Sequence, residues 1–234
     1  MSRRIAVLVA VAVFPGLRQA SPKGAPDGPA CRNIPTSLTQ VTTAQGGFSS
    51  TFKQTCSFDR QAFRGTCTNE YSDSRGTSNG STTFVTTYAS IGDFLDEVRV
   101  IPPLFKALKS NATTTGRAGG TSETTYTYDS QGRLMKEATA GASTSTTYTE
   151  WDHAGRPTRV NDAGRGFNNT REVSFDDVQR TRTTRVIPAG RSEVVMTTVE
   201  TFDANGNPVR QVAAAGPSTT TTTITINSTQ RICR

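Results

Sequence analysis

The chain has 234 residues, a formal net charge of +7 at pH 7 and an apolar fraction of only 33%. This length allows one large all-β domain or two small ones, and the low apolar content argues against a thick globular core. The arginines are spread along the sequence instead of forming one cluster, which argues against a nucleic-acid-binding surface.

The N-terminus has the pattern of a secretory signal peptide. Arg3 and Arg4 precede an apolar run over residues 5–14, and a Pro-Gly pair follows the run. The run is too short to span a bilayer, and a buried N-terminal strand is the alternative. We therefore expect residues 1–20 to be a signal peptide and the mature protein to be secreted or periplasmic, without a membrane span.

The next two regions differ in amino-acid composition and in the pattern of their apolar residues. Residues 21–47 are rich in Pro, Gly, Ser and Thr, which is typical of a flexible linker. Residues 48–121 are predicted to hold degenerate β repeats, because stretches such as FSSTFKQTCSF alternate in the manner of strands. Within them, residues 90–109 show helical spacing of apolar side chains, so we predict a short helical insertion that covers an end of the sheet. A partner-binding helix is the alternative for this insertion. Residues 111–123, which follow it, are predicted to form a flexible linker into the repeats.

Four cysteines in an exported chain indicate disulfides, and three pairings are possible. Cys56 and Cys67 flank a possible hairpin, so the preferred pairing is Cys56–Cys67, which leaves Cys31 with Cys233. A metal site is the competing interpretation, but the sequence has no C-x-x-C motif and only one histidine. We predict neither a metal nor a cofactor.

Aromatic–Asp pairs recur along the second half of the chain at spacings of 23, 24 and 27 residues, which indicates a repeat. The pairs are Tyr128–Asp129, Trp151–Asp152, Phe175–Asp176 and Phe202–Asp203. Weaker copies are predicted at Phe58–Asp59, at Tyr88–Phe94 and at Ile226–Asn227. Ala-Gly endings downstream of each pair mark a second turn.

Each copy is predicted to be a long β-hairpin. In YTYDSQGRL, residues 126–134, the Asp129 carboxylate can accept backbone N–H groups, Gly132 can supply a positive φ, and Arg133 begins the return strand. The predicted turn residues are Asp129, Gly132, Arg133, Asp152, Gly155, Arg156, Asp176, Asp203 and Gly206. Because a lone hairpin is marginal in water, we expect a mainly β fold, an antiparallel sheet built from tandem hairpins over residues 122–234.

These motifs resemble the YD repeat of the Rhs and teneurin families. YTYDSQGRL and EWDHAGRPTRVNDAG are the closest copies, whereas Gln179 replaces the glycine of the third copy and Asn207 replaces the arginine of the fourth. The resemblance covers roughly residues 122–234. It implies a spiralling β-sheet, which in large members closes into a hollow shell that holds a toxin or belongs to an adhesive surface protein. It identifies this chain as similar to a short, stand-alone exported member.

Few residues are suited to catalysis. His153 lies at a predicted hairpin tip, where a polar turn residue is a simpler interpretation than a Ser–His–Asp site. Residues 203–207 place oxygen ligands on alternate positions, as calcium loops do, but a turn also needs Asp, Asn and Gly. We therefore predict no enzyme.

The leading functional hypothesis is a non-catalytic secreted protein that binds carbohydrate at the cell surface, and it depends mainly on the family resemblance. The predicted ligand-binding residues are Tyr126, Tyr128, Tyr148 and Trp151, whose rings can stack on sugars if they face solvent. The threonine tracts offer a second array of hydroxyls for sugars or ordered water. A structural scaffold, or a module that binds a protein partner such as a toxin, is the alternative.

Overall fold

The computed structural model describes residues 31–59, 62, 64–74, 80–88, 107–116, 120–130, 133–140, 144–204 and 206–233. Within these ranges the chain forms strands only, each ended by a turn or a gap in the description. They are β1 (Cys31–Ala44), β2 (Ser49–Asp59), β3 (Arg64–Asp73), β4 (Gly80–Tyr88), β5 (Ala107–Gly116), β6 (Gly120–Tyr128), β7 (Leu134–Ala140), β8 (Thr144–Trp151), β9 (Pro157–Gly164), β10 (Phe167–Asp176), β11 (Thr181–Pro188), β12 (Met196–Phe202), β13 (Pro208–Ala215) and β14 (Ser218–Cys233).

The fourteen strands close into one antiparallel barrel. Each strand pairs with the next along the chain, and β14 pairs with β1 from Cys31↔Cys233 to Ala44↔Thr220. Closure leaves no unpaired sheet edge, which would otherwise template aggregation. The prediction of a mainly β, antiparallel fold is confirmed. The predicted sheet of tandem hairpins is corrected to a closed barrel, because the last strand pairs with the first.

Alternate residues of each strand face opposite sides of the wall. The inner wall is the face that carries the buried Tyr148, Val160 and Ile224, with exposures of 3%, 2% and 5%. Side chains converge on a concave surface, which is why this face is the more buried one. The outer wall is the opposite face, where Thr223 and Thr225 flank Ile224 and are both exposed.

Many inner-wall threonines bond to each other across strands. Hydroxyl pairs of this kind join Thr42 to Thr222 at 2.8 Å and Thr124 to Thr139 at 2.8 Å. Cross-strand Thr–Thr pairs stabilise sheets modestly, by about 0.2–1 kcal/mol each. The threonine-rich composition therefore supplies strand propensity and ties neighbouring strands together.

The outer wall is charged at mid-strand. Arg159, Glu172 and Arg185 are register partners on β9, β10 and β11, so that two guanidinium groups flank one carboxylate. Lys109 and Glu123 form an ion pair between β5 and β6, with both side chains about half exposed. Among the described residues, no helix is long and apolar enough to cross a membrane.

The aromatic–Asp pairs end the strands that reach one end of the barrel, which we call the repeat end. The turns β6–β7, β8–β9, β10–β11 and β12–β13 all lie there, and so does the β2–β3 turn after Asp59. The alternate turns lie at the opposite end, where Gly190 and Gly216 adopt positive φ values of 74° and 56°. The Ala-Gly endings therefore mark the second set of turns.

Several sequence-based boundaries differ from the structure. Residues 31–44 of the predicted linker form β1, because they pair with both β14 and β2. Most of the predicted linker over residues 111–123 belongs to β5 and β6. Of the predicted helical insertion, residues 107–109 lie in β5, and the rest lies outside the described residues, as does the predicted signal peptide.

The predicted repeat copy at Ile226–Asn227 is wrong. Strand β14 continues without a turn from Ser218 to Cys233, because its partner β1 runs alongside it for the whole length. Pairing with a distant strand outweighs a local turn signal. The single barrel also includes strands from both predicted repeat regions, 48–121 and 122–234.

The predicted disulfide between Cys56 and Cys67 is confirmed. The two residues are register partners on β2 and β3, and their Cα atoms lie 4.0 Å apart. Cys31 and Cys233 are backbone register partners at the seam between β1 and β14. Their pairing stays a prediction, which this register supports.

Candidate functional site

The repeat turns share one hydrogen-bonded geometry. The Asp129 carboxylate accepts the backbone N–H of Arg133 at 2.8 Å and its Nε–H at 2.6 Å, and the Asp129 N–H donates to the Arg133 carbonyl. Asp152 and Arg156 repeat all three contacts within 0.1 Å. Gly155 has a φ of 74°, whereas Gly132 lies outside the described residues.

The two divergent copies adapt in different ways. In the fourth copy, Asn207 takes the place of the arginine and donates to Asp203 from its backbone N–H and its amide, at 2.8 and 3.1 Å. Gly206 keeps the positive φ there, at 79°. In the third copy, which has Gln179 in place of the glycine, the positive φ of 51° moves to Arg180. Asp176 then accepts the backbone N–H groups of residues 178 and 179.

Turn arginines link the first of these hairpins to the second and the second to the third. The guanidinium of Arg133 lies 4.5 Å from the ring centroid of Trp151, and that of Arg156 lies 4.2 Å from the ring centroid of Phe175. Arg156 also donates to both oxygens of Asp177, at 2.5 and 3.2 Å. We call these residues, together with Asp129 and Asp152, the repeat-end ladder. Its contacts between hairpins were not predicted, although the arginines retained in the first two copies, Arg133 and Arg156, were a usable signal.

The ladder is built for stability. Arg156 is 4% exposed, and a buried guanidinium needs carboxylate partners. Burial opposes ionisation of Asp152, but hydrogen bonds from Arg156 outweigh it and hold the pKa of Asp152 below its ordinary value. The turn residues of the repeats therefore bond to one another. Asp203 likewise accepts from Asn207, and His153 is exposed at a hairpin tip.

Three of the four predicted sugar-stacking aromatics, Tyr126, Tyr128 and Tyr148, lie on the inner wall, and Trp151 follows two register irregularities at the end of β8. Tyr148 is 3% exposed, so it presents no open ring face, which corrects its predicted role as an exposed platform. Arg133 covers one face of Trp151. Tyr128 donates its hydroxyl to the carbonyl of Ala107 at 3.2 Å. Tyr126 is half-buried.

Two of these tyrosines converge on a carboxylate that the sequence analysis did not select. Tyr148 donates its hydroxyl to Glu137 at 2.5 Å, and Tyr126 is the register partner of Glu137. Burial raises the pKa of Glu137 and, with the negative charge of Glu137, raises the pKa of Tyr126 to about 12. For the same reasons the pKa of Tyr148 lies well above its ordinary value.

A bidentate ion pair continues this network along the wall. Arg171 donates to Asp162 from Nε at 2.6 Å and from a terminal nitrogen at 2.9 Å, and Thr146 donates to the same carboxylate at 2.8 Å. The side chains of Arg171 and Asp162 remain 30% and 21% exposed. We call Tyr126, Glu137, Tyr148, Asp162 and Arg171 the inner-wall cluster.

Strand register brings the cluster together. Glu137 pairs with Thr146, and Thr146 pairs with Asp162, so that three neighbouring strands present polar groups on one face. The sequence signal was one charged residue at an inward-facing position of β7, β9 and β10, and its meaning depends on the strand register. In the described part of the chain, no group of three or more metal-ligating side chains is present.

Comparisons with known proteins give structural likenesses at low sequence identity. No family model matches the sequence, and no curated protein matches it. The chain is similar to a porin-like protein from Bacteroides uniformis, with 11% identity over 82% of this chain and 98% of that chain, and a TM-score of 0.45. It is also similar to a lipoprotein candidate from Parabacteroides distasonis, with 8% identity over 84% and 97% of the two chains, and a TM-score of 0.30.

Proposed function

We propose that this protein is a non-catalytic, extracytoplasmic β-barrel that binds carbohydrate on its inner wall. The observation that carries the proposal is the inner-wall cluster, where the partly exposed ion pair of Asp162 and Arg171 shares one concave surface with Glu137 and the half-buried ring of Tyr126. Ligand sites typically combine a few fixed polar groups with aromatic surface. Sugars present both hydroxyls and apolar ring faces, so they match such a surface.

The polar groups of the cluster are held ready for a ligand. Arg171 uses two of its five N–H donors on Asp162, so others are free to donate to a sugar hydroxyl. Two carboxyl groups face one guanidinium, which disfavours an anionic ligand. Side chains that are already fixed by their neighbours lose little freedom on binding.

The strand number supports a site inside the barrel. Side chains fill the interior of barrels with about eight strands, whereas about 16–18 strands leave an open channel. The fourteen strands of this barrel lie between these sizes. The repeat turns support a related proposal, that the barrel is a short relative of the YD-repeat shells.

The charged outer wall and the disulfide support an aqueous, oxidising location. The line formed by Arg159, Glu172 and Arg185 crosses the middle of three strands, where a lipid-facing wall would be apolar. The Cys56–Cys67 disulfide is typical of chains folded outside the cytosol. We expect the purified protein to stay monodisperse without detergent; a strict detergent requirement would contradict this part of the proposal.

The test is binding of the secreted chain to a panel of surface polysaccharides and peptidoglycan. Replacing Asp162 by Asn should weaken binding at least about tenfold, because it releases Arg171 and removes a charged acceptor. Glu172→Gln is the matched control, since this residue lies on the outer wall next to Arg171 in the chain. Folded protein that binds no member of the panel would contradict the proposal.

A scaffold role is the second candidate, and the repeat-end ladder favours it. Arginines that join hairpin to hairpin rigidify the barrel without leaving groups open to a ligand. On this alternative, the panel gives no binding, while a partner protein from the same assembly binds the barrel and is insensitive to Asp162→Asn.

A further inference from the structure

The outer wall is concave over four neighbouring strands, β14, β1, β2 and β3. A groove of about 360 Å³ lies there, and we call it the outer groove. Its lining includes Thr39, Lys53, Thr55, Thr66, Glu70 and Asn227. Strand β1 changes register on both sides of Ser37 at this point. Such irregularities bend a strand and re-aim its side chains, and they are common beside binding sites.

The groove presents hydroxyl groups with spare hydrogen-bonding capacity. Asn227 donates to the Thr39 hydroxyl at 2.9 Å, which leaves the O–H of Thr39 free to donate outward. The hydroxyls of Thr55 and Thr66 make no hydrogen bond with any other residue that the structure describes. These three groups can each act as donor and acceptor toward one ligand. Thr68, which also lines the groove, is by contrast bonded to the Thr83 hydroxyl at 3.3 Å.

The charges of the groove cancel. Lys53 and Glu70 are register partners on β2 and β3, and both line the groove. One cation and one carboxylate side by side give no net attraction for a phosphate or another simple anion. The lining mixes hydroxyl groups with apolar surface from residues such as Leu38, as the polar edges and apolar faces of a sugar ring require. A neutral ligand with many hydroxyl groups fits this lining best.

We propose that the outer groove is a second binding site, for a neutral saccharide of one or two rings. The volume is at the lower end of the range for small-molecule sites, about 300–1,000 Å³, which limits the size of the occupant. Lys53 and Glu70 serve as one donor and one acceptor for hydroxyls at one side, and Thr55 and Thr66 hydrogen-bond the ring from below. The inference extends the proposed carbohydrate binding to a separate surface and does not need the inner-wall cluster.

The experiment titrates the ¹⁵N-labelled full chain with maltose, cellobiose and N,N′-diacetylchitobiose in turn. Backbone amide chemical shifts report the binding. We expect saturable shifts of the Thr55 and Thr66 amides with at least one disaccharide. The double substitution Thr55→Val and Thr66→Val should weaken that binding roughly tenfold or more, since valine keeps the shape and removes the hydroxyls. Thr113→Val with Thr121→Val is the matched control, because these are exposed register partners elsewhere on the outer wall.

The outcomes separate the two sites. Shifts at Thr55 that persist in Asp162→Asn protein support the outer groove independently of the inner wall. Binding that is lost in Asp162→Asn and unchanged in the double valine variant overturns the groove and leaves the inner-wall proposal standing. The groove is also overturned if none of the three disaccharides shifts the Thr55 and Thr66 amides at millimolar concentration.

Discussion

The repeat-end ladder and the inner-wall cluster use the same chemical groups with opposite results. In the ladder, Arg156 is 4% exposed and is saturated by two carboxylates and an aromatic ring. In the cluster, Arg171 has one bidentate carboxylate partner and keeps 30% of its side chain exposed. The same kind of arginine–aspartate pair therefore leaves no donor open to a ligand at Arg156 of the ladder, whereas at Arg171 of the cluster it leaves part of the guanidinium uncovered.

Disrupting the repeat-end ladder should cause the largest loss of stability. Arg156→Ala removes the partner of Asp152, the contact with Asp177 and the stack on Phe175. We expect the free energy of unfolding to fall by about 2–4 kcal/mol, because a half-buried carboxylate is left without its cation. Urea denaturation measures this loss. Arg159→Ala is the control, since Arg159 is exposed and its ion pair with Glu150 should contribute less than about 1 kcal/mol. Equal effects of the two changes would show that the ladder is not the more stabilising region.

Loss of the disulfide should come next. Replacing Cys56 and Cys67 together by serine frees a closed loop whose ends are 11 residues apart. The chain-entropy estimate for a loop of this size is about 2–3 kcal/mol. The measurement is the free energy of unfolding of the double variant, compared with that of the unsubstituted protein under the same denaturation conditions. The cysteines lie outside the repeat-end ladder and the inner-wall cluster, although Cys56 lines the outer groove. Binding at the inner-wall cluster is therefore expected to be unchanged alongside the lower stability.

A smaller effect sharpens the account of the repeat turns. Gly155→Val places a β-branched side chain at a φ of 74°, and we expect a loss of about 1–2 kcal/mol in the free energy of unfolding. Gly120→Val is the control, since an added Cβ at Gly120 meets no neighbour within 4 Å and that residue needs no positive φ. If both valine variants lower the free energy of unfolding by the same amount, the positive φ of Gly155 does not account for the stability of the second repeat turn.

The smallest effect concerns the pH dependence of the cluster. The pKa of Glu137 is raised in the folded barrel, chiefly by burial. The folded state therefore holds this proton more tightly than the unfolded state, and stability falls as pH rises from the ordinary glutamate value of 4.5 through the raised folded value. Glu137→Gln should flatten this part of the profile of unfolding free energy against pH. A profile that keeps the same slope in the variant would assign the pH dependence to other groups.

Local features could be predicted from the sequence. The turns at Asp129 and Asp152, the strand alternation around them and the Cys56–Cys67 disulfide each depend on residues within about a dozen positions of each other. Hydrogen bonds of this kind form in whatever fold the hairpin later joins. The candidate site could be predicted only in part from the sequence. Both tyrosines of the inner-wall cluster were selected, whereas Glu137, Asp162 and Arg171 were missed.

By itself, the sequence determined a β protein made of hairpins with fixed turns. Only the tertiary structure decided that β14 pairs with β1, that Ile226 and Asn227 continue a strand, and that Glu137 meets Tyr148. The physical reason is that barrel closure depends on twist and register summed over fourteen strands. A shift of one residue in any pairing would exchange the inner and outer walls beyond it. The accumulated register cannot be read from a local pattern of side chains.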